Sequence, residues 1–99
     1  MLTYYVVYRT EAKTEPAGIF VMDVATGAAV LWNHRSRGWS YDPALVVRFL
    51  DDPRNVDRYE VVDLVTLQGL TETVTGSPLP DERALRTMLE EGQRSHHAP

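Results

Sequence analysis

The side chains best suited to chemistry in this chain cluster in one short window. Leu31–Tyr41 reads LWNHRSRGWSY and contains His34, Arg35, Arg37, Trp39 and Tyr41. A guanidinium presents a planar fork of donors to a carboxylate or phosphate, and an indole or phenol offers a face for stacking. Two arginines at i and i+2 beside an imidazole therefore make a candidate anion- or partner-binding surface. The window holds both tryptophans of the chain, and no Asp or Glu occurs between Asp23 and Asp42. The competing explanation is a solvated loop whose arginines balance acids such as Asp51 or Asp52. Trp32 reads as a core residue on a strand. Trp39, after Gly38 in a loop, is either a lid over the core or a recognition anchor.

Catalytic constellations are sparse. His34, Ser36, Ser40, Tyr41 and Asp42 include bases and nucleophiles, but a nucleophile, its base and an orienting group must meet in space, which sequence neighbours rarely do. There is no G-x-S-x-G elbow, no phosphate loop and no dinucleotide fingerprint. Cysteine is absent, which removes disulfides, thiolate metal sites and a thiol nucleophile. His96-His97 lack the i, i+4 spacing with which a helix chelates a metal, and Asp51-Asp52 lack the alternating oxygen ligands of a calcium loop. No cofactor or metal site is expected.

The elements that must position this window follow from apolar periodicity. Thr3–Arg9 (TYYVVYR) is rich in aromatic and β-branched residues and predicts a strand. It is apolar on both faces, as in a strand covered on each side or one used for association. Residues 9–17 are polar, contain Pro16 and predict a connection. Gly18–Val24 (GIFVMDV) and Ala29–Asn33 (AVLWN) predict an antiparallel hairpin turned by Ala25-Thr26-Gly27-Ala28, with the glycine at positive φ. The first strand is expected to add to it. A loop from His34 to Tyr41 leads to a helix opened by Asp42-Pro43, which supply a cap and a first residue with no N–H to satisfy. Leu45, Val46, Phe49 and Leu50 form its apolar face, and Pro53 ends it. Arg58–Val62 predicts a fourth strand, Leu64–Thr73 a helix capped by Asp63, and Asp81–Glu91 a helix stopped by Gly92. The fold class is α+β, in the order β-β-β-α-β-α-α: a three-stranded antiparallel meander plus a fourth strand, with helices on one face. Residues 1–92 form one domain, and 93–99 are expected to be a disordered tail.

Bulk composition narrows the function. The net charge is −4, spread as +1 over residues 1–41 and −5 over residues 42–99. An acidic total disfavours sequence-independent binding to a nucleic-acid backbone. The apolar N-terminus lacks the basic region and cleavage site of a signal peptide, and no segment approaches a membrane span. A cytoplasmic location without membrane association is expected. The favoured reading is a small non-catalytic protein-binding or regulatory module, with a protein partner or self-association as a homodimer. The alternative is a small-molecule or anion-binding domain, or a minor enzyme, built on the 34–41 loop. Nucleic-acid binding ranks third.

Overall fold

The computed structural model describes residues 1–97. Its strands are β1 (Leu2–Tyr8), β2 (Pro16–Asp23), β3 (Ala28–Asn33), β4 (Gly38–Tyr41) and β5 (Tyr59–Val62). Its helices are α1 (Pro43–Asp51), α2 (Leu64–Thr75) and α3 (Glu82–His97), with a 3-10 helix at Pro53–Arg58. The α+β class with helices on an antiparallel sheet stands. The sheet has five strands in the order β4-β3-β2-β1-β5, each pairing antiparallel. The added strand is β4, in a segment whose sequence reads as loop.

Helices cover both faces of this sheet, so of the two arrangements open to the apolar first strand it takes the one covered on each side. Successive side chains of a strand point to opposite faces, and β1 buries them both ways: Tyr4 and Tyr5 are each 9% exposed. On one face, Leu2, Tyr4, Ile19, Val21 and Val30 meet Leu67 of α2 and Leu85 and Leu89 of α3. On the other, Tyr5, Phe20, Met22 and Ala29 meet Val46 of α1, with Phe49 and Leu50 packed alongside. Rings dominate this second core. Tyr5 stacks on Phe20 at 4.4 Å, and Phe49 meets Phe20 edge-on at 6.2 Å.

Local chemistry explains where the elements begin and end. The Asp42 carboxylate accepts from Leu45 N at 3.1 Å, and Asp63 from Thr66 N at 2.7 Å, so both helix starts are capped. That hydrogen bonding with Thr66 holds the Asp63 carboxyl below its usual range. Threonines persist inside α2 because Thr71 and Thr75 donate back to the carbonyls of Leu67 and Thr71. Gly76 ends the helix at φ 77°, the left-handed cap that glycine supplies without strain. Pro16, read as part of a connection, instead opens β2, a position where a strand tolerates proline. The helix expected to stop at Gly92 runs through it to His97. Gly92 lies against the Tyr41 ring, where a Cβ would collide with the ring and with Tyr41 Cβ. Its missing side chain serves close approach and not termination. Residues 93–97 of the expected tail thus continue α3, and residues 98–99 lie outside the described residues.

After Pro53 the Arg54 guanidinium grips Asp52 through Nε at 3.0 Å and Nη2 at 2.7 Å. This pairing lowers the Asp52 pKa from its ordinary 3.8 to about 2. A carboxyl whose folded pKa is depressed adds stability that is complete above its unfolded pKa and vanishes as pH falls through the folded one. The Asp52 contribution should therefore disappear between about pH 4 and pH 2. A carbon-detected NMR titration checks this: Arg54→Ala should move the Asp52 midpoint back toward its ordinary value. An unmoved midpoint would remove the pair as the cause.

Candidate functional site

Asn33 organises the chain reversal that carries the candidate residues. Its Oδ1 accepts from Arg35 N at 2.9 Å and Ser36 N at 3.2 Å, its Nδ2 donates to Ser40 Oγ, and its carbonyl accepts from Arg37 N at 2.8 Å. Arg37 takes φ 57°, a left-handed conformation uncommon outside glycine. Four residues, His34–Arg37, thus form a tight turn between β3 and β4. Arg35 and Arg37 are exposed, and neither is in an ion pair among the described residues.

Two candidates, Trp39 and Tyr41, sit on strand β4 and share one face, while His34 turns to the other. Trp39 lies opposite Trp32, with ring centroids 5.8 Å apart at 75°. Trp39 and Tyr41 are half-buried and pack against the core under α2 and α3. His34 turns to the α1 side, where Nε2 donates to the Ala17 carbonyl at 2.7 Å. The structure therefore brings His34, Arg35 and Arg37 together in one turn. Trp39 and Tyr41 contribute to the opposite core, so the five do not converge on one point.

His34 closes the end of a gap in the sheet. The β2–β3 ladder runs from Asp23↔Ala28 to Phe20↔Leu31 and ends there. Extending that register would set Ile19 against Trp32 and Ala17 against His34. On the other side of β2, the pairing with β1 shifts between Val7↔Gly18 and Tyr8↔Pro16, which leaves Ala17 as a bulge. A bulge bends a strand and re-aims its neighbours. The His34 ring takes up the bulge carbonyl across the gap, in place of a ladder bond.

An open groove of about 240 Å³ lies between this gap and α1. Val7, Gly18 and Phe20 form its floor, Leu31 and Trp32 one side, and Leu45, Val46 and Phe49 of α1 the other; among the described residues His34 is the one ionisable lining residue. Gly18 keeps the floor open: a Cβ there would touch only the Val7 Cβ, at 3.6 Å. Leu45 is 42% exposed although it belongs to the apolar face of α1. Sequence reasoning found His34 but missed the groove residues. The available signals were the glycine inside a strand, which often marks a bulge or close approach, and an α1 face wider than its core.

Burial, before any neighbouring charge, pushes the Tyr4, Tyr5 and Tyr8 phenols above their ordinary pKa, which keeps them neutral. Among the described residues no three His, Asp or Glu come together as a metal site, and no helix is long and apolar enough to cross a membrane. The side chains of His96 and His97 lie outside the described residues. Comparison with protein-family models, with curated proteins and with solved structures gives no match.

Proposed function

We propose that this chain is a small non-catalytic protein-binding module that receives an apolar side chain of a partner between α1 and the gap at β2–β3. The groove carries the reading: it is floored by a glycine, walled by Leu45 and Phe49, and flanked by a rigid turn. Binding energy at interfaces concentrates where a large side chain enters such a recess. Size favours a side chain over a whole ligand. A closed cavity of about 150 Å³ already admits benzene, whereas sites for drug-sized ligands start near 300 Å³. The groove volume of about 240 Å³ suits one aromatic or large aliphatic anchor. Anion binding by His34, Arg35, Arg37 and Tyr41 has less support, because Tyr41 packs under α3 and away from the turn.

Selection of a random phage-displayed peptide library on the folded protein tests the reading. Enriched peptides should share one aromatic or leucine residue. Gly18→Leu, which fills the floor, should weaken them by about tenfold or more, near 1.4 kcal/mol, with an unchanged melting temperature. Absence of enrichment, or peptides indifferent to Gly18→Leu, would count against the groove.

A further inference from the structure

We infer that the partner segment is acidic: an extended or helical peptide in which Asp or Glu residues flank the single apolar anchor. The inference rests on the groove reading and adds the chemistry of what surrounds the anchor. Three arginines lie on the two segments that contribute to the groove. Arg35 and Arg37 belong to the turn whose first residue, His34, lines it, and Arg48 lies on α1 between the lining residues Leu45 and Phe49. All three are exposed, and none is in an ion pair among the described residues.

The turn is also fixed before any partner arrives. The Asn33 side chain holds the backbone of Arg35 and Ser36, its carbonyl holds Arg37, and the His34 ring ties the turn to Ala17. A rigid turn spends less ordering entropy on binding than a mobile loop. Of the acids closest in sequence, Asp52 is compensated by Arg54, while Asp42 at the start of α1 and Asp51 at its end keep their charge, two acids against three arginines. Acid-free sequence from residue 24 to residue 41 thus becomes a basic rim on an otherwise acidic molecule. Exposed charges separated by more than a Debye length, about 8 Å at physiological salt, are largely screened. The rim therefore acts on the partner locally despite the net charge of −4. Complementary charge at a rim selects partners and speeds encounter, while the anchor holds them.

Sequencing the groove-dependent phage peptides and titrating them by fluorescence anisotropy tests this. Two further proteins are needed: Gly18→Leu, and the double variant Arg35→Gln with Arg37→Asn, in which asparagine tolerates the left-handed backbone. Enriched peptides should carry Asp or Glu within a few residues of the anchor. Exchanging those acids for Asn and Gln should cost about tenfold in affinity, and the double variant should erase the difference between acidic and neutral peptides. Raising salt to about 0.5 M should shrink it as well. Groove-dependent peptides with neutral or basic flanks, or affinities untouched by the double variant, would overturn the acidic partner and leave the groove standing. If no peptide depends on Gly18, both ideas fall together.

Discussion

Leu85→Ala is expected to lower unfolding free energy by about 2–5 kcal/mol, the range for truncating a fully buried leucine. Leu85 is 0% exposed and lies with Leu67 and Leu89 against Val21 and Val30 of the sheet. The void would persist, because the neighbours on one side are strand residues fixed by their ladder and those on the other are helix residues already in contact. A domain of this size has about 5–15 kcal/mol in total, so the loss is a large share of it. Urea denaturation reads the effect as a lower midpoint with an unchanged slope. A loss below about 1 kcal/mol, typical of an ordinary substitution, would mean that α3 is not seated on this face.

Gly92→Ala should also destabilise, although alanine in a helix ordinarily gains about 1 kcal/mol over glycine. The added methyl collides with the Tyr41 ring and with Tyr41 Cβ. The tyrosine cannot swing clear at its root, since Tyr41 pairs with Val30 in the sheet. Overpacking of this kind costs about 1–3 kcal/mol, occasionally more, so the collision outweighs the propensity gain. Gly69 is the internal control. It lies within α2, and a Cβ there meets nothing within 4 Å. Gly69→Ala should therefore stabilise by about 1 kcal/mol. Combining Gly92→Ala with Tyr41→Ala should recover part of the loss, a coupling that a double-mutant cycle isolates. Equal thermal shifts for the two glycine variants would refute the close approach of α3 to β4.

Much of the fold was legible because local chemistry and tertiary packing agree. The hairpin of β2 and β3, the Asp42-Pro43 start of α1 and the Asp63 cap each announce themselves through residues whose backbone preferences match their place. Strand β4 was missed because GWSY is short and begins with glycine. Its alternation of Trp39 and Tyr41 with Gly38 and Ser40 was the usable sign. Gly92 misled because the same residue serves two purposes, and only the position of Tyr41 distinguishes them. The candidate site was half legible. His34, Arg35 and Arg37 do share a turn. That Trp39 and Tyr41 face the other core follows from the two-residue period of a strand, which the loop reading did not apply. The groove was not legible, since it arises where one ladder ends and another shifts register. Both depend on how β2 bends between its neighbours.

The edge-on contact of Trp32 and Trp39 places both indoles of the molecule in one hairpin. Intrinsic emission on excitation of tryptophan is thus a local gauge of that corner and of the helix surfaces packed on it. Far-ultraviolet circular dichroism follows the helices. Melting curves from the two signals that separate would show the β3–β4 ribbon opening ahead of the body. Curves that coincide would show it coming apart as one cooperative unit.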